Sequence, residues 1–409
     1  MLFKLAWRNL WRQKRRTLLT ASALSLALIL SLAMRSLQEG TYASNIDNSA
    51  RFYTGLIQLQ HIDFSNSHSI DDLLPASRDF IAPVVNEPKI TDVIPRLESF
   101  ALAAAEDKSK GVMVLGIDPV KEDQYSGLSE KITQGDYLTS GEAQVLVGAS
   151  LARTMKLTLG DELVLYGQGF RGQTAAGLYT VKGIISFPLP QLESQLVYLP
   201  LGEAQQLFST GEQVTNWVLH TDKLSDVEDV VEQLKAIYPE SVSVQDWQQL
   251  SPETAQQIQM DKVGGIFLMY ILYGVVGFGL FATIMMMTLE RQREFGVMLA
   301  TGMQRGRLLL LVSIESLLIA MLGIVIGMLV VTPVLTYLLY HPIQLTGETA
   351  KLMVDAGFEP ILPVMMAPSL YLNQIAIVLL MLVLCLIYPM IRIGRLNLVN
   401  ALKGGAHAG

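Results

Sequence analysis

The chain has 409 residues, of which 51% are hydrophobic and 16% charged, with a formal net charge of −7. It is too apolar for an ordinary soluble protein and too hydrophilic for a pure membrane bundle, so it must combine spanning segments with a soluble domain. A single cysteine, Cys385, excludes an internal disulfide, and the acidic balance argues against nucleic acid as a partner.

Four stretches reach the roughly 20 apolar residues a span needs at about 1.5 Å rise each: 17–34, 266–289, 308–339 and 372–391. With their helical flanks the first two spans are placed at 17–37 and 264–289. Lys4, Arg8, Arg12, Lys14, Arg15 and Arg16 precede the first span. Arg291, Arg293, Arg305 and Arg307 lie in the loop 290–307, and Arg392, Arg395 and Lys403 follow the fourth span in the tail 392–409. All three clusters fall on one side of a four-span topology, which the positive-inside rule makes cytoplasmic. Both termini are then cytoplasmic, and residues 38–262 and the loop 340–371 lie outside. Between Gln38 and Lys262 there are 31 Asp and Glu against 15 Lys and Arg, a local balance of −16, whereas residues 1–16 carry +6. A basic head before an apolar run also describes a secretory signal. The length of the run and the lack of a small-residue cleavage site favour a span.

Beyond the first span, Leu37, Tyr42 and Ile46 continue a weak helical periodicity, and residues 256–262 lead into the second. These segments are either stalks continuous with the spans or flexible linkers. The inserted domain mixes strand and helix signals. Strands are expected at 52–63, 93–104, 111–117, 145–147, 162–166, 178–187 and 195–199, with a polar loop at 64–78 and a short helix at 149–155. A strand at 215–220, an amphipathic helix at 226–237 burying Val227, Val230, Val231, Leu234 and Ile237, and a strand at 242–245 close the domain. It divides into an α/β part, 49–104 with 211–250, and a β-rich insert, 105–210. The loop 340–371 holds Pro342, Pro360, Pro363 and Pro368 and reads as an ordered loop.

No Gly-rich loop followed by Lys and Ser or Thr occurs, so a P-loop is excluded, and no Gly-x-Ser-x-Gly is present. His61, His68, His220, His341 and His407 show no zinc-site spacing, and no metal or cofactor is expected on this chain. The most specific stretch is 289–305, in which Arg293, Glu294, Phe295, Gly296, Met298, Leu299 and Gly302 stand close together. It predicts a short helix with Phe295, Met298 and Leu299 on one side, a stop near Gly302 and charge at both ends. Such a segment either docks a partner or lies on the membrane surface.

These residues resemble the FtsX-like permease family of ATP-binding-cassette systems, which includes MacB-like pumps and lipoprotein-releasing permeases. The run Arg293-Glu294-Phe295-Gly296-Val297-Met298-Leu299-Ala300-Thr301-Gly302 is similar to the family's coupling loop. Trp7-Arg8-Asn9-Leu10 with Arg15-Arg16-Thr17-Leu18-Leu19-Thr20 is similar to its N-terminal amphipathic helix, placed here at 1–16. Val145-Leu146-Val147-Gly148-Ala149-Ser150-Leu151-Ala152 with Leu159-Gly160-Asp161 is similar to its periplasmic core. The resemblance implies a multi-pass α-helical membrane protein with four transmembrane helices and a large periplasmic α/β plus β-rich domain between helices 1 and 2, in the bacterial inner membrane. It implies no catalysis on this chain, ATP and Mg held by a cytoplasmic ATPase dimer on a separate chain, and a second copy or a similar permease. A periplasmic carrier or adaptor is a further expected partner. The sequence departs from the family at its closing motif, where Leu398 rather than Pro precedes Val399, Asn400, Ala401 and Leu402. The segment from Gly167 to Gly177, aligned with a carrier-recruiting hook, is short and lacks proline.

Glu315 sits about two turns into the third span, where a carboxylate costs roughly 2.5 kcal/mol or more unless paired. It either serves the mechanism, snorkels to the interface or pairs with Arg307. Gly323 and Gly327 keep the small-xxx-small interval and Gly274, Gly277 and Gly279 cluster in the second span, signatures of close packing within or between subunits. The expected function is ATP-driven motion of the outer domain for extraction or export of a lipoprotein, lipid or other amphiphile. The alternative is a mechanical regulator of a cell-wall hydrolase or a peptide sensor that moves no cargo.

Overall fold

A computed structural model describes residues 2–12, 14–186, 190–355 and 360–395. The closing motif from Leu398 to Leu402, Lys403, His407 and the end of the expected strand at Phe187 lie outside the described residues. Two compact units emerge, one of residues 1–41, 259–343 and 362–409, the other of 42–258 and 344–361.

Among the described residues four helices are long and apolar enough to cross a bilayer: Lys14–Ser49, which continues as a π-helical turn over Ala50–Thr54, then Pro252–Glu290, Arg305–Tyr340 and Pro368–Gly394. Leu37, Tyr42 and Ile46 belong to the first helix and residues 256–262 to the second, with no break in either. In the first unit the helices pack around Ala21, Leu24 and Leu28 of the first span, Tyr273, Leu280 and Ile284 of the second, Ile319 and Ala320 of the third, and Val378 and Leu382 of the fourth. Gly323 and Gly327 face the first span. A Cβ on Gly323 would stand 2.9 Å from both the Ala21 carbonyl oxygen and Leu24 Cβ, and one on Gly327 2.8 Å from Leu28 Cδ2. Both glycines therefore pack within one subunit. In the second span Gly277 lies against Met381, whereas Gly274 and Gly279 have no heavy atom within 4 Å of an added Cβ. A buried polar cluster ties three spans together: the Tyr273 hydroxyl joins Ser31 Oγ at 2.8 Å and Gln374 Oε1.

The second unit is built on one extended sheet. Its strands are β1 (Ile57–His61), β2 (Leu74–Pro75), β3 (Ile90–Ala105), β4 (Lys108–Ile117), β5 (Ile132–Gly135), β6 (Gln144–Gly148), β7 (Glu162–Gln168), β8 (Thr174–Ile185), β9 (Leu196–Pro200), β10 (Gln213–Val214), β11 (Asn216–Thr221) and β12 (Val242–Asp246), with β2 and β10 pairing apart from the rest. The order β12-β1-β11-β3-β4-β9-β6-β8-β5 is joined by β7, which bonds both β3 and β8. The path β3-β4-β9-β6-β8-β7 consequently returns to β3 and closes a ring. Alternate residues point inward, so Ala101, Ala103, Val112, Val114, Val145, Val147, Leu163, Leu165, Val181 and Val197 fill it. Helices Ala149–Met155 and Leu201–Phe208 add Leu151, Met155, Ala204 and Phe208 to that core. A second core lies between β1, β11 and β12 and the helices Arg78–Val85 and Val227–Ile237. The sixteen-residue β3 belongs to the ring and to the open part alike, so the sheet is continuous across residue 104.

The expected strand 52–63 begins only at Ile57, because residues 50–54 form the π-helical turn. The reason lies in Arg96. Fully buried, it pairs with Glu122 through Nε at 2.9 Å and Nη2 at 2.6 Å, and donates to the carbonyls of Tyr53 and Arg51. A helix end leaves carbonyls without internal partners, and here a buried guanidinium takes them. The helices Arg78–Val85, Pro119–Ser126 and Leu201–Phe208 were not expected from the sequence, although Ser77 and Asp118 cap the first two. Within 340–371 a helix, Glu348–Asp355, adds to the loop reading. In the tail, the described residues up to Gly394 continue the fourth helix.

Replacing Gly323 by Leu is expected to lower the melting temperature in detergent, equivalent to about 1–3 kcal/mol of overpacking. Gly279→Leu, placed where an added Cβ meets nothing, should leave it unchanged.

Candidate coupling site

The second spanning helix ends at Glu290, and a short helix, Gln292–Ala300, follows after a single break at Arg291. Its far end is closed by Gly302 at φ +97°, a conformation that L side chains rarely adopt. There the Gly302 amide donates to the Leu299 carbonyl at 3.1 Å and the Met303 amide to the Met298 carbonyl at 3.0 Å, a left-handed cap that turns the chain into the third span.

One side of this helix is inside the unit. Phe295, with 1% of its surface exposed, packs with Ala6, Leu308, Leu311, Val312 and Ile393, and Met298 and Leu299 lean on the same cluster. Gly296 is buried beside Phe295. The opposite side carries Arg293, Val297 and Ala300 at i, i+4 and i+7, all exposed. The seven residues singled out in the sequence thus divide. Arg293 and Gly302 are outward, Phe295 and Gly296 are buried, Met298 and Leu299 are partly covered, and Glu294 is engaged in ion pairs.

Glu315 is 5% exposed, and its partners differ from those expected. It neither pairs with Arg307 nor snorkels. Oε2 accepts from Arg291 Nη1 at 2.5 Å, and Oε1 accepts from Asn9 Nδ2 at 2.6 Å. Arg307 lies eight residues back on the same helix, about 12 Å along its axis, whereas the break at Glu290 delivers Arg291 directly beside the carboxylate. Arg291 also holds Glu294 Oε2 through Nε at 3.0 Å, and its guanidinium lies 5.2 Å from the Phe295 ring centroid.

Three residues of the amino-terminal segment complete the site. Asn9 binds Glu315, Arg12 binds Glu294, and Arg16 binds Glu290 at 2.6 Å and the Thr283 carbonyl at 2.7 Å. Asn9 and Arg12, one turn apart on the helix Leu2–Arg12, reach the third span and the short helix, and Arg16, in the first turn of Lys14–Ser49, reaches the end of the second span. Helix Leu2–Arg12 buries Ala6 against the third span and exposes Phe3, Trp7 and Trp11. Burial works to raise the Glu294 carboxyl, but the hydrogen bonds and charges of Arg12 and Arg291 outweigh it and hold its pKa below the ordinary 4.5. A carboxylate depressed in the folded state contributes stability above its unfolded-state pKa and loses it as pH falls through the folded value. This link is therefore fully present at neutral pH. The sequence does not mark Asn9, Arg12, Arg16, Glu290 and Arg291 as a set; the only local signal is the excess of Arg before the first span against Glu290 and Glu294 after the second.

Long apolar helices, a sheet-rich domain inserted after the first, and a short ion-paired helix between the second and third describe a multi-span membrane protein with a large inserted domain. Residues 17–237 match the model of the MacB-like periplasmic core domain and residues 266–398 that of the FtsX-like permease C-terminal region. The chain belongs to the FtsX/MacB-like ABC transporter permease family. It is 23% identical over 221 residues to the lipoprotein-releasing system transmembrane protein LolE of Haemophilus influenzae, covering 53% of each chain. It is 21% identical over 340 residues to the macrolide export ATP-binding/permease protein MacB of Nitrosomonas europaea, covering 79% of this chain and 50% of that one. The chain thus spans about half the length of these curated relatives. Among solved structures, the periplasmic region of MacB from Actinobacillus actinomycetemcomitans aligns with 50% of this chain and 95% of its own at 16% identity and TM-score 0.35. Four apolar helices and a periplasmic-domain family make this an inner-membrane protein with a periplasmic domain.

Glu315→Gln strips the charge from beneath a buried Arg291 and is expected to cost about 3–5 kcal/mol, read as lost thermal stability in detergent. Arg291→Met combined with Glu315→Leu should recover most of that loss. An equal loss in the double variant would assign the effect to shape rather than charge.

Proposed function

We propose that this chain is the membrane subunit of an ABC assembly in which a separate cytoplasmic ATPase dimer, carrying ATP and Mg, docks on the exposed face of helix Gln292–Ala300. Both termini are cytoplasmic in this reading, and a second copy or a similar permease completes the pair. The observation that carries it is the division of that helix. Phe295 and the Glu294–Arg291–Glu315 links fasten one side to the membrane unit, while Arg293, Val297 and Ala300 remain outward. A push on the outward side is then passed to the second and third spans through bonds already made. The output is motion of the periplasmic domain that extracts or exports a lipoprotein, lipid or other amphiphile. An acyl chain left in water costs about 0.8 kcal/mol per methylene, so such cargo needs an apolar cleft between paired subunits. Lipoprotein release is the role of the Haemophilus influenzae relative, LolE, and it supports this cargo class.

The test is copurification with an ATPase whose hydrolysis rises on addition of lipoprotein. Activation of a hydrolase without cargo movement would instead support the regulatory reading. Arg293→Glu with Val297→Asp is expected to weaken ATPase association at least about tenfold, roughly 1.4 kcal/mol, with an unchanged melting temperature. Gly302→Pro, incompatible with φ +97°, is expected to uncouple hydrolysis from cargo release. Wild-type association in the first variant and wild-type coupling in the second would overturn the docking assignment.

A further inference from the structure

His61 closes β1, Asp63 follows at once, and Asp72 ends the polar loop that returns to β2. Asp72 Oδ1 lies 3.6 Å and Asp63 Oδ2 3.7 Å from the same nitrogen, His61 Nδ1, and the three ligand atoms all fall within 4.8 Å of one another. Donors held about 2.0–2.1 Å from a tetrahedral ion stand about 3.4 Å apart, so both His61–Asp separations need only a slight contraction, and the two carboxylates, free to turn about their χ angles, close the rest. The imidazole is also turned the right way. The Asp63 amide donates to Nδ1 at 3.3 Å, so that nitrogen carries a lone pair rather than a proton, and an ion would take it over from this long hydrogen bond. Ser67 Oγ binds Asp72 Oδ2, which leaves Oδ1 aimed at the ring. Among the described residues neither carboxylate has a Lys or Arg partner.

We propose that His61, Asp63 and Asp72 bind a zinc-class divalent ion on the outer domain. One imidazole and two carboxylates suit zinc, with water in the fourth position; calcium demands six to eight oxygens and magnesium an octahedron of them. The ion pins the loop between β1 and β2. That loop buries Ile70 in the ring core, and Asp71 Oδ1 accepts from the Arg171 amide at 2.6 Å in the turn between β7 and β8. Occupancy therefore stiffens the support of the hairpin tip that spans Gly169 to Gln173.

The test uses the full chain, purified in detergent without a polyhistidine tag and stripped by chelator, titrated with zinc by calorimetry. One ion per chain is expected. His61→Ala and Asp72→Asn should each weaken binding at least about tenfold. Zinc should slow amide exchange across residues 62–72 in the wild type and in neither variant, while calcium at the same concentration does not. Unaltered metal-free exchange elsewhere checks that the variants fold; if one misfolds, Asp63→Asn, at the most exposed ligand, takes its place. Absence of stoichiometric zinc binding, equal binding by the variants, or a preference for calcium overturns the proposal.

Discussion

A carboxylate placed inside a spanning helix dictates how the membrane unit is arranged. Glu315 is all but inaccessible, and leaving it alone would cost several kcal/mol. Its requirement is met by groups from two distant parts of the chain, Asn9 from the amino-terminal helix and Arg291 from the break after the second span. Arg291 then reaches Glu294, and Arg12 reaches the same carboxylate from the other side. The orientation of the short helix follows. With its first turn anchored by two arginines and Phe295 sunk into the apolar cluster, only the Arg293–Val297–Ala300 side can face a partner.

The second unit uses a similar device for a different purpose. Arg96 and Glu122 form a bidentate pair excluded from water, and the remaining donors of Arg96 take the carbonyls at the end of the π-helical turn. Arg51, in that turn, binds Asp47 one turn earlier and the Tyr125 carbonyl of the neighbouring helix. A buried ion pair contributes little net stability against an apolar replacement, but it specifies geometry, because breaking either half strands a charge. Here it fixes where helix ends and sheet begins, on a strand that is common to the ring and the open sheet.

Much of this architecture was legible in the residues. The spans are visible because hydrocarbon admits only long apolar helices, and strands such as β4, β9 and β11 because their buried runs are rich in Val, Leu and Ile. The helix after β6 and the helix Val227–Ile237 follow from their local patterns, although Ile237, read as part of the buried face, is exposed at the helix end. What stayed hidden depends on long-range pairing. Residues 52–54 have strand-like composition, and they are held in a π-turn by partners distant in sequence, Arg96 on the Tyr53 carbonyl and the Tyr198 hydroxyl on that of Phe52. The ring's closure through β7 rests on hydrogen bonds between segments about sixty residues apart, which no periodicity reports. At the candidate coupling site the outline of the short helix was readable from Phe295, Met298 and Gly302. Its polar partners were not, since nothing local says that Asn9 meets Glu315 across 306 positions.

The aromatic side of the amino-terminal helix adds one more property. Phe3, Trp7 and Trp11 lie at four-residue intervals, exposed on one flank, with the two indoles edge to face at a 6.0 Å centroid separation. Tryptophan settles at the level where headgroups meet hydrocarbon. The flank therefore registers the height of the lipid boundary, and the same rigid segment carries Asn9 and Arg12 to their acidic partners. A leaflet of different thickness would shift that flank and, through the same segment, load those contacts.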